Sequence, residues 1–399
     1  MKVSARPLLF KDIRIFDGER MHPRSSVLIH NGQIAALATQ LTPPLDVEVI
    51  TGDGRTLMPG LIDSHTHASV PGALEQAIVL GVTTELDMFT LPEVYAQQRA
   101  QAAARNDMAD LRSAGIGATA PGGHPTQFIE QGWFRPFPTV SSPAQAEPWV
   151  GERIAEGSDY IKIFATSLPT EPSLPHLDED TVRALIAAAH AHGKLAVVHA
   201  TSRAAALTAL DADVDCLAHL FTDAPGDTDV VAAIAERDAV VSPTLTMLEG
   251  MSGLRATDLE QDERITPYLT EWSTANLAHP LGEGTTPRGK PTYARDLIRP
   301  LADAGVTLLA GTDAGTPGTA HGASLHHELK LLVDAGLRPL EALHAATGAP
   351  ARCFCLTDRG RIAPGLSADL LLVDGDPTTD ITTTRAILGV WRRGLAVPR

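Results

Sequence analysis

Met58-Pro59-Gly60-Leu61-Ile62-Asp63-Ser64-His65-Thr66-His67 is the stretch from which both fold and chemistry can be read. A Pro-Gly turn leads into a short apolar run, which ends in two histidines one residue apart. In an extended strand the side chains of residues i and i+2 share a face. His65 and His67 therefore converge at a strand end, where neutral imidazoles are placed to share a cation. A lone histidine has an ordinary role as a surface or hydrogen-bonded core residue. The paired spacing puts a metal reading beside that one.

The chain of 399 residues is long enough for one large barrel domain or two ordinary ones. Apolar residues make up 44% and aromatics only 4%, so the core must be aliphatic and Ala-rich, which suits a barrel with a helical coat. A formal charge of -16 argues against nucleic acid and anionic lipid as partners. The cysteines are Cys216, Cys353 and Cys355, a set that offers neither a disulfide framework nor a thiolate zinc knuckle. No apolar stretch approaches the length of a membrane span, and residues Met1 to Pro7 lack the long apolar run of a signal peptide. The expectation is a cytoplasmic protein acting on a small-molecule substrate, with no nucleic-acid or membrane partner and homo-oligomerisation left open.

Both chain ends read as β-structure. Leu8 to Phe16 alternates apolar and polar residues, and Asn31-Gly32 between Val27-Leu28-Ile29 and Ile34-Ala35-Ala36-Leu37 is a hairpin signal. Val47 to Ile50, Asp369 to Val373 and Ala386 to Trp391 are strand-like as well. The N-terminal strands are too few to close a core alone. A small β-sandwich domain built from residues 1–57 and 357–399 is therefore expected, with a metal-dependent hydrolase unit at 58–356 inserted between them.

The middle alternates. Strands are expected at Leu61–Asp63, Thr83–Asp87, Ile116–Thr119, Tyr160–Phe164, Leu195–Val198, Asp215–Ala218, Ala239–Ser242 and Val306–Ala310. Helices are expected over Pro92–Ala114, over Glu179–His192 with Asp178 as cap and Gly193 as stop, over Asp227–Arg237, and over Thr292–Ala304. The pattern predicts an α/β fold, a (β/α)8 TIM-like barrel. A doubly wound open sheet is the alternative, but no Gly-rich dinucleotide loop follows the first strand. The Pro-, Gly- and Thr-rich stretch from Met247 to Pro291 reads as a long loop placed to cover a site.

In such barrels chemistry sits at the C-terminal strand ends. Those ends carry His65 and His67, Lys162, His199, His219 and Asp313. Six polar residues around one mouth are hard to explain as core filling, because buried polar groups are costly unless paired. Ile161 and Ile163 face the helices, so Lys162 faces inward, where a protonated amine among cation ligands is poorly tolerated. Addition of carbon dioxide to that amine, giving a carbamate that bridges two cations, resolves the conflict. The plain alternative is a lysine paired with Asp313 or Glu85.

The stretches PGLIDSHTH, IKIF, VVHA, AHL and GTDAGTPGTAHG, with the C-terminal RGRIAPGLSADLLLVDGDP, resemble the amidohydrolase superfamily. The details are similar to its imidazolonepropionase-like and prolidase-like (Xaa-Pro dipeptidase) branch, over nearly the whole chain. The resemblance implies a binuclear hydrolase with two divalent metal ions, zinc first among them. His65, His67 and Asp313 would hold the more buried metal, His199 and His219 the second, and carboxylated Lys162 would bridge them. Asp313 and Lys162 would be the catalytic residues. A metal-bridging hydroxide would attack an amide-type C–N bond in an N-acyl amino acid, dipeptide or related amide. The alternatives are a lactonase or esterase using the same site, a non-catalytic metal-binding scaffold, and a binding protein for an acidic or metal-chelating small molecule.

Two departures qualify this. Mononuclear deaminases of the superfamily carry a glutamate where this chain has Ser202, which disfavours deamination. Relatives that cleave dipeptides often have a tyrosine shortly after the Pro-Thr-Leu of strand seven, where this chain reads Pro243-Thr244-Leu245-Thr246-Met247. Gly122-Gly123-His124 matches the branch, so His124 is a substrate-binding candidate, and His321 after strand eight is another; the plain reading of each is a loop histidine. Phe128, Trp133, Phe134, Phe137 and Met247 near the expected rim suggest an apolar pocket, with loop packing as their ordinary role.

Overall fold

Two turn-linked strands open the chain, as the Asn-Gly signal requires: Asn31 and Gly32 both take positive φ, 51° and 81°, the conformation of a type I′ hairpin. The strands before the first helix are β1 (Leu8–Phe16), β2 (Met21–His30), β3 (Gln33–Ala38), β4 (Glu48–Thr51), β5 (Arg55–Pro59) and β6 (Leu61–Thr66). Then come β7 (Val82–Asp87), β8 (Asp110–Ser113), β9 (Ile161–Phe164), β10 (Ala196–His199), β11 (Cys216–Ala218) and β12 (Val240–Ser242). The C-terminal strands are β13 (Leu370–Asp374), β14 (Ile387–Arg392) and β15 (Leu395–Ala396). The computed structural model describes residues 6–166, 174–281 and 289–399.

Both chain ends meet in one sheet. Among the described residues its order is β15-β14-β13-β5-β1-β2-β3, with β4 paired to β1. β13 runs antiparallel to β5, with Leu370 opposite Pro59. One face packs Phe10, Ile13, Ile15, Val27, Leu57, Leu370 and Trp391 into a core of its own, and Phe10 meets Trp391 edge to face at 4.9 Å.

The middle strands are all parallel, in two runs: β6-β7-β8 and β12-β11-β10-β9. Single bridges extend the runs, Ala118 to Ile163 and Val241 to Leu308. The backbone from Leu308 to Ala314 then joins β6: Ser64 N–H donates to Ala310 O at 2.9 Å and Asp313 N–H to His65 O at 2.7 Å. Ile62, Leu86, Val197, Cys216 and Leu309 from these segments pack with Ala349, Ala351 and Phe354.

Helices separate the strands: α1 (Ala73–Val79), α2 (Pro92–Ala104), α3 (Gln127–Glu130), α4 (Ala146–Ala155), α5 (Glu179–Ala191), α6 (Arg203–Asp211) and α7 (Thr228–Glu236). Next come α8 (Leu245–Met251), α9 (Thr257–Glu260), α10 (Glu271–Ala278), α11 (Pro291–Asp303) and α12 (Ala323–Asp334). Asp178 and Asp227 cap α5 and α7 through backbone N–H groups of Thr181 and Val230. No described helix is long and apolar enough to cross a membrane.

The structure corrects four expectations. The helix expected over Pro92–Ala114 stops at Ala104, with Arg105 already extended. Strand three then begins at Asp110 rather than at Ile116, and Ile116–Thr119 contributes only the bridge at Ala118. Its charged residues hid it: Asp110 is buried against Arg359 and Arg392, pairings that no local pattern reveals. The segment expected as strand Val306–Ala310 forms only the bridge at Leu308. Close approach dominates there, since a Cβ on Gly311 would stand 2.3 Å from Ser242 Oγ. Last, the stretch expected as a loop from Met247 to Pro291 is largely helical through α8, α9 and α10; residues 282–288 of it lie outside the described residues.

Candidate metal centre

Backbone hydrogen bonds between strand ends bring the predicted residues together. His65 O accepts from Thr312 and Asp313 N–H, and His67 N–H donates to Ala314 O at 2.6 Å. Ligand atoms of His65, His67 and Asp313 lie within 4.8 Å of one another. His67 Nε2 is 2.9 Å and His65 Nε2 3.6 Å from Asp313 Oδ1. Lys162 Nζ is 3.5 Å from His65 Nε2. The His65 and His219 rings are 4.7 Å apart, and those of His199 and His219 4.5 Å. Lys162 faces these histidines and Phe164, whose ring lies 5.7 Å from Nζ. It does not pair with Glu85, which is taken by His321.

Burial favours the neutral form of His65, His199 and His219. It pushes His65 and His199 well below the usual imidazole range, helped at His65 by Lys162 and at His199 by His219. Burial also brings His219 down to about 3, against the opposing pull of Asp313. Neutral imidazoles keep a lone pair for a cation. Lys162 is lowered by burial to about 8. Burial would raise Asp313, but His67, His219 and Lys162 outweigh it and hold the carboxyl at about 2. Burial likewise opposes charge on His67, and Asp313 overcomes it, lifting His67 above its ordinary value.

The donor set fits divalent metals. Imidazole nitrogens and a carboxylate are the ligand types zinc prefers. His199 Nε2 is buried with no hydrogen-bond partner, a costly state that a cation would relieve.

Several residues that shape the site have no ligand chemistry to betray them in the sequence. Asp63 accepts from Thr312 Oγ1 at 2.6 Å, from Thr312 N–H at 3.1 Å and from His65 N–H at 3.2 Å, so one carboxylate ties both ligand-bearing strand ends. Asp87 accepts from Ala68 N–H, Thr90 Oγ1 and Ser113 Oγ, which holds the turn following His67. Its place at the end of β7 was the available signal. Thr244 Oγ1 lies 2.7 Å from His219 Nδ1. Thr244, His219 and Asp313 all have positive φ, 51°, 73° and 60°, strain of the sort that persists at sites where surrounding contacts enforce it. Glu328 enforces it at Thr244 by accepting from the N–H groups of Leu245 and Thr246 and from Thr246 Oγ1.

The two substrate-binding candidates part company. His124 is buried beside the cluster, its ring 5.5 Å from that of His199, and Gln127 Nε2 lies 2.8 Å from its Nδ1. With that amide donating, the His124 proton sits on Nε2, leaving a donor for an incoming oxygen. His321 is 1% exposed, and its Nδ1 lies 2.9 Å from Glu85 Oε1; no ring contact joins it to the cluster among the described residues. Of the expected rim residues, Phe128, Trp133, Phe134 and Phe137 form one group, whereas Met247 is buried in the main core.

Known proteins resemble this chain over nearly its whole length. The model of the family described as "Amidohydrolase family" matches residues 56–397. An imidazolonepropionase of Deinococcus deserti is 26% identical over 94% of this chain and 92% of its own length. The crystal structure of a Xaa-Pro dipeptidase with methionine in its active site superposes with a TM-score of 0.79 at 22% identity, covering 98% of this chain and all of that one. A putative prolidase from Bifidobacterium longum gives 0.78 at 24% identity, over 99% of this chain and 95% of its own.

Proposed function

The chain belongs to the amidohydrolase family, and from that premise we propose that it is a binuclear metal-dependent hydrolase of an amide-type C–N bond. The observation that carries the reading is the convergence of His65, His67 and Asp313 beside Lys162, His199 and His219. The strand ring is read as a (β/α)8 barrel at 58–356, with 1–57 and 357–399 as a small β-sandwich domain. The hydrogen bonds linking Val241 to Thr307 and Leu309, and Ser64 to Ala310, support that reading.

His65, His67 and Asp313 would hold one metal and His199 with His219 the other, with Lys162 carboxylated between them. Divalent metals there supply Lewis acidity that polarises a carbonyl and acidifies water. Asp313, ionised at neutral pH, takes the proton of the attacking water and returns it to the departing nitrogen, so water and amide become acid and amine. His124 donates from Nε2 to a substrate oxygen. Imidazolonepropionase and Xaa-Pro dipeptidase, the activities named among the similar proteins, both fit this bond class.

The test is elemental analysis of protein purified without chelators, followed by a hydrolysis screen of N-acyl amino acids, dipeptides and lactones. Close to two metals per chain and amide turnover abolished by chelation are expected. One metal with full activity would force a mononuclear mechanism. A tenfold preference for lactones, about 1.4 kcal/mol in transition-state binding, would refute the amidase assignment.

A further inference from the structure

We propose that the segment from Gly122 to Val140 builds an aryl-binding subsite, and that the substrate carries a planar aromatic group. The inference rests on the hydrolytic reading above and narrows its substrate class.

Aromatics are only 4% of this chain, yet five of its nine phenylalanines gather here with one tryptophan. Phe89 lies 5.1 Å from Phe134, 5.0 Å from Phe137 and 6.2 Å from Phe164. The inner end of the group touches the metal-site histidines: Phe164 is 5.4 Å from both His124 and His199. The outer end is Trp133, stacked on Phe128 at 4.8 Å and 14°, and Phe128 meets His124 at 5.7 Å. A row of rings therefore runs from solvent to the reacting centre.

Core packing accounts for Phe89 and Phe164, which are 2% and 4% exposed. It does not account for Trp133, 58% exposed. Stacked on Phe128, which meets His124, the exposed indole is part of a continuous apolar surface that reaches the site. Its position is also fixed. Trp133 and Phe134 N–H both donate to Phe128 O, and Gly132 has φ 77°, so a tight turn presents the indole. A ring held this way loses little freedom on stacking with a ligand ring. The charged side chains of the segment are Glu130 and Arg135, and Arg135 is held by both oxygens of Glu93. An uncharged aromatic group suits this surface better than a second carboxylate.

The experiment uses zinc-loaded protein and matched pairs. N-benzoylglycine against N-cyclohexanecarbonylglycine tests an aryl group on the acyl side, and acetanilide against N-cyclohexylacetamide tests the amine side. The aryl member should be favoured at least tenfold in kcat/KM in one pair. Trp133→Ala should remove most of that preference through KM, and Trp133→Phe should keep it. Equal turnover of both members of both pairs, or a preference untouched by Trp133→Ala and Phe128→Ala, overturns the subsite while the hydrolase reading stands. Benzamide protection of wild-type fluorescence from acrylamide, beyond that in Trp133→Phe, reads the subsite without turnover. Protection with no hydrolysis of any substrate keeps the subsite and overturns the hydrolase; no protection and no aryl preference overturns the subsite.

Discussion

His327 should make this protein lose stability as the solution turns alkaline. It sits in α12, 6% exposed, with Nδ1 2.8 Å from Asp258 Oδ1 and Nε2 3.2 Å from Glu249 Oε2. Glu249 belongs to α8 and Asp258 to α9, so one imidazolium joins three helices. Asp258 also binds Arg385, which reaches Asp262 as well. Burial opposes charge on His327, but the two carboxylates outweigh it and raise its pKa from 6.5 to about 9. A rise of that size corresponds to about 3 kcal/mol of stabilisation. Its sign follows from proton binding. Between the unfolded and folded values only the folded chain holds this proton, so the contribution is complete below pH 6.5 and disappears as pH passes 9. Urea denaturation of wild type and His327→Gln at matched metal content checks it. The stability difference should fall by about 3 kcal/mol between pH 6 and pH 10. Other groups titrating in this window cancel in that difference. A difference independent of pH would refute the reasoning.

Three further outcomes are expected. Lys162→Ala should reduce the metal content and most of the turnover, with partial return of both in formate or acetate; two metals and normal rates would exclude a lysine bridge. Asp313→Asn should keep the circular dichroism of wild type and lower kcat on the order of a hundredfold or more, as for a lost proton shuttle; a near-normal rate would move the base role to another group such as His124. Thr244→Val removes the hydroxyl beside His219 Nδ1 and should weaken metal binding about 10–100-fold in chelator competition, while Thr244→Ser should bind nearly as wild type. Equal affinities in both variants would make that hydroxyl irrelevant to the metal.

What the sequence disclosed follows from how local each signal is. His65 and His67 need only strand period to converge, and the Asn31-Gly32 hairpin needs only two residues with positive φ. Lys162, His199, His219 and Asp313 become legible once strands are counted, because their chemistry is out of place in an aliphatic core. Strand β8 was hidden because Asp110 to Ser113 falls inside the helix expected over Pro92–Ala114, and the arginines that pair with Asp110 come from the far C-terminus. The helices after β12 were hidden for a similar reason. They are short, between four and eight residues, and distant partners hold them: Glu328 at the start of α8, His327 at α8 and α9, and Gln76 Oε1 accepting from Thr270 N–H before α10.

The same distinction explains how the sheet built from both termini bears on the site. β5 runs into β6 with only Gly60 between them, and a Cβ on Gly60 would stand 2.3 Å from Thr83 side-chain atoms. There is no slack between the sheet and the strand that carries His65 and His67. β13 pairs with β5 through Leu370 opposite Pro59, and Gly60 N–H donates to Asp369 O at 2.9 Å. The C-terminal segment thus clamps the root of the histidine strand, while Asp63 and Asp87 clamp its far end. A strand fixed at both ends can keep its ligand atoms converged before any cation arrives. That is why His65 and His67 follow directly on β5 while β13, which fixes β5, comes from the far end of the chain.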